Sequence, residues 1–243
     1  MLIEAALNGG RARSEHPAIP QSPAELAYAA KESVAVGAQA LHFHVRGRDG
    51  RESLAPGDVD AAVAAVHAAV PGTPFGVSTG AWILRNAALR LKLVSEWKVL
   101  PNFASVNFKE EGAEELARLL LSRGVGIEAG FSDTYGAEIF DASHLAGRCL
   151  RILLEPQEAT TAAALETVRA IEAVLDRAGV KIPRLLHGMD ATAWDLIDRA
   201  AAGGYDTRIG FEDILTRPDG SAAASNAALV AEALRRTSPP SGR

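Results

Sequence analysis

Cysteine is almost missing: Cys149 is the only one in 243 residues, and it lies inside the apolar run CLRILL. A single thiol excludes an internal disulfide and any multi-cysteine metal site, and its setting reads as a small buried hydrophobe. Aromatic residues are sparse at 5%, but hydrophobic (48%) and charged (23%) shares are those of an ordinary globular protein, which argues against disorder or a fibre. No basic cluster is long enough to follow a phosphate backbone. Acidic residues outnumber basic ones 30 to 25, for a net charge of -5, so nucleic acid is not an expected partner. No stretch approaches the roughly 18 uninterrupted apolar residues of a membrane span. The start, MLIEAALNGG, lacks both a basic n-region and a long apolar h-region, so the protein reads as cytoplasmic, without membrane attachment. No linker rich in Pro, Gly or Ser divides the chain. One domain over residues 1–243 is expected, with a frayed tail, TSPPSGR, from about residue 237.

What is present is alternation. Short apolar runs recur between longer helical patterns: LIEAALN (2–8), ALHFHVR (40–46), PFGVSTG (74–80), FASVNF (103–108), VGIEAG (125–130), CLRILLEP (149–156), RLLHG (184–188) and DTRIGFED (206–213). Helices are expected from about Ser22, over 57–69 and 86–97, and through EEGAEELARLLLSRG. A weaker one spans 137–146, followed by TTAAALETVRAIEAVLDRAG, a helix from near Thr192, and SNAALVAEALRR. Eight strand–helix repeats in this length predict a (β/α)8 TIM barrel. The competing open doubly wound sheet would want a GxGxxG fingerprint after an early strand, and none occurs.

In such a barrel the active site forms where the strands end, and the polar residues gather at those ends. The second strand, LHFHVR, is organised by period two: His42, His44 and Arg46 share one face, and Leu41, Phe43 and Val45 the other. Two buried neutral imidazoles are economically satisfied by a divalent metal, with hydrogen bonds to backbone or water as the alternative. Catalytic zinc takes three protein ligands, and Glu212 or Asp213 in GFED supplies the third, since strand eight closes beside strand one. Ser78, Thr79 and Gly80 form a strand-to-helix turn suited to a carboxylate or phosphate. Ser105, Asn107, Glu128, His187 and Arg208 also fall at strand ends.

Several segments together resemble the beta-keto acid cleavage enzyme family: ALNGG with HPAIP downstream, GAQALHFHVRGRDGRESL, GVSTG, ASVNF, RIGFEDI and SNAALVAEALRR. The combination of HxHxR, STG and RxGFED carries the likeness. It implies a zinc-containing TIM barrel, commonly oligomeric, so a homo-oligomer (dimer or tetramer) is expected. The implied reaction condenses a beta-keto acid with acetyl-CoA to give acetoacetate and a new acyl-CoA. By the same likeness His42, His44 and Glu212 bind zinc, Asp213 is the base that removes the alpha proton, and Arg208 stands beside it. Ser78 helps hold the substrate carboxylate, and Ser105 stands where threonine is common. Gly9, Gly10 and Arg11 occupy the region where some members carry a first-loop glutamate. Ile214 replaces a usual asparagine, and Gly130 an acidic residue after strand five. The loops after strands four and six are short, and the identity of the keto acid is left open.

Arg46 reads either as a support of the zinc ligands through a carboxylate such as Glu128, or as a structural ion pair. His187 lines the pocket, approaches the metal, or packs behind the site as a supporting or core residue. His16 is a lid or surface residue, His67 core or helix-surface filler, and His144 peripheral. Two other classes compete: another metal-dependent aldolase or hydrolase on the same barrel, and a protein that binds a metabolite or CoA ester without converting it.

Overall fold

Runs of small and apolar residues form eight short strands in the computed structural model, which describes residues 1–238. The strands are β1 (Ile3–Ala6), β2 (Ala40–Phe43), β3 (Phe75–Ser78), β4 (Phe103–Asn107), β5 (Gly126–Phe131), β6 (Arg151–Leu154), β7 (Arg184–Leu186) and β8 (Thr207–Ile209). Each is followed by a helix: α1 (Pro23–Ala35), α2 (Pro56–Ala69), α3 (Ala87–Ser95), α4 (Ala113–Ser122), α5 (Thr134–Ser143), α6 (Thr161–Arg177), α7 (Ala193–Gly203) and α8 (Asn226–Thr237). All strand pairs are parallel, and each strand neighbours the next in sequence from β1 to β7, with β8 beside β1. Leu185 bridges Asp206, and the Leu186 N–H donates to the Asp206 carbonyl at 2.9 Å, which closes the ring between β7 and β8. This is the (β/α)8 TIM barrel that the alternation predicts.

Helix starts follow the sequence signals. Ser22 and Glu25 form a capping box ahead of Pro23, Thr160 accepts from the Ala163 N–H to start α6, and Ser225 accepts from the Ala228 N–H to start α8. The weakly patterned fifth helix begins three residues earlier than expected, because the Asp133 side chain caps it at the Gly136 N–H. Thr237, where the frayed tail is expected to begin, is the last residue of α8. Residues 239–243 of that tail lie outside the described part.

Alternation sorts the strand residues. Ile3, Ala5, Leu7, Leu41, Phe43 and Val77 join the main apolar core between strands and helices. Their neighbours Glu4, Ala6, Ala40, His42 and Ser78 face the barrel interior. There the Phe103 ring fills the space beside Gly76, 2.2 Å from the position that a Cβ would take, so glycine is required. Cys149 is buried as read, and burial pushes its thiol up to about 11, which keeps it protonated and inert. Among the described residues no helix is long and apolar enough to cross a membrane.

Candidate metal centre and active-site cavity

His42 sits near the end of β2, in register with Ala6 of β1 and Gly76 of β3. His44 lies just beyond the strand, where the Asn8 side chain clamps it: Asn8 Oδ1 accepts from the His44 N–H at 2.8 Å, and Asn8 Nδ2 donates to the His44 carbonyl at 2.9 Å. Glu212 arrives from the other side of β1. Its Oε1 lies 3.4 Å from His44 Nε2 and its Oε2 3.7 Å from His42 Nε2. The three donors lie within 4.8 Å of one another and all three residues are buried or nearly so.

This geometry fits a metal ion. Zinc with ligands at about 2.1 Å in tetrahedral arrangement holds its donors roughly 3.4 Å apart, close to both separations. Glu212 Oε2 is buried without a hydrogen bond, and so is Nδ1 of His42. Burial, only partly offset by Glu212, pushes His42 down to about 3, so its imidazole is neutral with a lone pair free. Burial also works against charge on His44, but the Glu212 and Glu52 carboxylates outweigh it and raise that imidazole to about 9. Glu212 itself is held well below the usual carboxylate range: Arg208, His44 and His42 overcome its burial. His44 Nδ1 meets Glu52 Oε1 at 2.5 Å, the outer carboxylate that metal-binding histidines commonly use. Glu52 in turn accepts from the Trp82 indole N–H at 3.1 Å.

The expected third ligand and base are brought together by a turn, not by a strand. In a strand extended to residue 213, Glu212 and Asp213 would face opposite sides. The chain instead bends after Ile209, with the Asp213 and Ile214 N–H groups both donating to the Gly210 carbonyl. A Cβ at Gly210 would lie 1.9 Å from the Ala6 carbonyl oxygen, so only glycine allows the bend to close onto β1. As a result Arg208 reaches both acids: NH2 donates to Glu212 Oε1 at 2.8 Å and to Asp213 Oδ1 at 2.9 Å, and Nε to Asp213 Oδ1 at 3.2 Å. Asp213 is wholly buried, and its Oδ2 has no hydrogen bond.

A cavity of about 560 Å³ opens above these groups. Of the residues expected at the site, His44, Asn107, Arg208 and Glu212 line it, His42 and Asp213 sit directly against Glu212 and Arg208, and Ser78, Thr79, Gly80 and Ser105 lie outside its lining. Trp82 packs onto Gly80, its ring where a Cβ would stand, and presents its indole to the cavity in place of the Ser78–Gly80 turn. Within that turn Ser78 Oγ accepts from the Gly80 N–H at 3.4 Å, and Thr79 Oγ1 donates to the Ser105 carbonyl at 2.6 Å.

Arg46 departs from both expectations. Its guanidinium donates to the backbone carbonyls of Gly9 and Arg11, because the chain leaves the strand after Phe43 and turns the side chain toward the first loop. Glu128 is occupied elsewhere, by Arg151. His187 is buried behind the cavity, with Nδ1 3.3 Å from Asp213 Oδ1 and Nε2 3.9 Å from Glu155 Oε2. His16 packs on Phe211 with ring centroids 4.6 Å apart and anchors its loop. His67 is exposed on α2, and His144 ends α5 in the left-handed region.

Several cavity residues have no assigned role in the sequence reading. Arg11, in place of a first-loop glutamate, donates to the Glu212 carbonyl at 3.2 Å and to Asp190 at 2.5 Å, joining three loops. Glu110 accepts from Asn107 Nδ2 and the Ala81 N–H, and burial pushes its carboxyl up. Burial raises Glu155 as well, against His187 and Arg208. Gly130 leaves room for both Glu155 and Asn107, whose oxygens lie 2.6 and 2.4 Å from the position its Cβ would take.

Residues 1–238 match the model of the beta-keto acid cleavage enzyme family. The chain belongs to this family. Among solved structures it is similar to ObcA, at 19% identity in both of two states. The apo form gives a TM-score of 0.68 over 88% of this chain and 61% of that one. The ternary complex of ObcA with a C4-CoA adduct and oxalate gives 0.67 over 88% and 62%. The chain thus spans about three fifths of the length of the ObcA chains it matches. Thiamine phosphate pyrophosphorylase from Pyrococcus furiosus shares the barrel more distantly, with a TM-score of 0.54 at 12% identity over 97% and 94% of the two chains.

Proposed function

We propose that this family member is a metal-dependent enzyme, with zinc as the expected ion, that cleaves a beta-keto acid by condensation with acetyl-CoA, releasing acetoacetate and an acyl-CoA. The observation that carries the reading is the convergence of His42, His44 and Glu212 beside the Arg208–Asp213 pair, in a chain whose family match runs from its first residue to the end of α8. That ObcA has been seen with oxaloacetate and with a CoA adduct supports the two substrate classes.

When bound at His42, His44 and Glu212, the metal supplies a Lewis acid for the keto carbonyl. Asp213 is the base: Oδ1 is held by Arg208, which leaves Oδ2 to accept the alpha proton. Arg208, held well above its ordinary value because Asp213, Glu212 and Glu4 outweigh the cost of its burial, keeps its charge throughout and stabilises the oxyanion that forms at the attacked thioester. Asn107 reaches the substrate carboxylate from the cavity wall, with Ser105 and the Ser78–Thr79–Gly80 turn supporting that side from beneath Trp82. A homo-oligomeric, cytoplasmic enzyme belongs to the same reading.

A panel of beta-keto acids incubated with acetyl-CoA tests it, read by the acyl-CoA products. Product should form from at least one acid, vanish on chelation and return with zinc. Keto-acid cleavage that proceeds without acetyl-CoA would favour a metal-dependent aldolase or hydrolase instead. Trp82 offers a direct report on the metal, since its ring stacks with His44 at 6.0 Å between centroids and 27° between planes. Cobalt(II) should quench tryptophan emission in the native protein, and most of that quenching should be lost in Trp82→Phe, which keeps Trp97 and Trp194.

A further inference from the structure

One interior layer below His42 lies a group of charges that the chemistry above does not use. Glu4 is in register with Ala40, two residues before His42 on β2, and Glu128 projects from β5. Both are wholly buried and share one cation: Arg151 donates through NH2 to Glu4 Oε2 at 2.6 Å and through Nε to Glu128 Oε1 at 2.5 Å. The two other oxygens, Glu4 Oε1 and Glu128 Oε2, have no hydrogen bond. A nitrogen of His42 and one oxygen from each acid lie within 4.8 Å of one another. Nδ1 of His42 is likewise buried and unpartnered.

These orphan atoms answer one another chemically. If Nε2 of His42 faces the metal, a neutral imidazole carries its hydrogen on Nδ1. A buried N–H without an acceptor costs about 1–3 kcal/mol. The carboxyl oxygens of Glu4 and Glu128 are acceptors without donors, and a separation of this size closes by a side-chain adjustment or is spanned by one water with two hydrogen bonds. We propose that Glu128, with Glu4 beside it and Arg151 holding both, is a positioning residue for the metal centre: it accepts the Nδ1 hydrogen of His42 and so fixes the tautomer and the aim of Nε2. This rests on the metal-dependent reading above. Burial, and the Glu128 carboxylate beside it, push the Glu4 carboxyl well above its ordinary value.

The test is metal affinity by competition with a chromophoric chelator, together with the absorption spectrum of the cobalt(II) protein. Glu128→Met, which removes the acceptor at similar volume, should weaken binding by about 10- to 100-fold and shift the cobalt bands. Glu4→Gln, which leaves Glu128 in place, should stay near the native affinity. Adding Arg151→Met to Glu128→Met restores the native net charge of the cluster: affinity that stays low supports the acceptor role, and affinity that recovers shows a charge effect only and overturns the proposal. A folded Glu128→Met protein with native affinity and native cobalt spectrum also overturns it. If that variant fails to fold, the native protein decides, through histidine-selective ¹⁵N NMR of the zinc form. A slowly exchanging His42 Nδ1–H is expected, and a rapidly exchanging one overturns the proposal. A native chain that binds no divalent metal refutes the metal-dependent function itself, whereas normal metal binding without these effects refutes only the role of Glu128.

Discussion

An Asp213→Asn protein should bind its metal with native stoichiometry yet lose acetyl-CoA-dependent turnover by about 10²- to 10⁴-fold, the range that a general base contributes. The substitution keeps the volume of a wholly buried side chain and one acceptor for Arg208, but it removes the oxygen, Oδ2, that carries no hydrogen bond. His42→Ala should differ in kind. It deletes one of three converging donors, so metal content and turnover should fall together, and excess metal should not restore the native rate. The pair of variants separates ligand from base. Retained turnover in Asp213→Asn would remove Asp213 from its role, and full metal content in His42→Ala would remove His42 from the ligand set. Metal analysis and steady-state rates on the same samples supply both readings.

The largest effect on stability is expected at Arg151. Its guanidinium is the cation shared by Glu4 and Glu128, and it lies 5.3 Å from the centre of the Phe103 ring. Arg151→Ala leaves buried carboxyl groups without their counter-ion, a change that typically costs about 3–5 kcal/mol. A drop in the urea midpoint with unchanged slope would register it. The pH dependence has a definite sign. The folded-state value of Glu4 is already pushed above its ordinary value by burial and Glu128, and loss of Arg151 removes an opposing charge. A carboxyl whose folded value exceeds its unfolded one costs stability at high pH, and that cost disappears below the unfolded value. The variant should therefore lose least, relative to the native chain, in mildly acidic buffer.

The barrel and the two histidines of the candidate metal site are legible in the sequence because both follow from period and spacing, whereas the choice of Glu212 over Asp213 rests on the family resemblance. Alternation in LHFHVR puts His42 and His44 on one face, and parallel closure brings the end of β8 within reach of them. Asp213 is legible as an acid from the residues, but its pairing with Arg208 is implied only by the resemblance, since that contact depends on a bend that Gly210 permits against the Ala6 carbonyl, a long-range packing fact. Arg46 escapes the pattern for the related reason that the strand stops at Phe43. Arg11, Trp82 and Glu110 project from loops, whose paths are set by contacts and not by local pattern. Glu4 and Arg151 do carry a signal: each is a charge inside a run otherwise fit for full burial, IEAA and RILL, and such charges require each other.

The three donors of the candidate site come from β2, from the residue just beyond it and from the turn after β8, so roughly two thirds of the 243-residue chain separates His44 from Glu212. During synthesis the imidazoles emerge early and wait without their carboxylate until the final strand is made. A metal at this site would therefore be acquired only after β8 is made, and once seated it would tie early chain to late, acting as a clasp against unravelling.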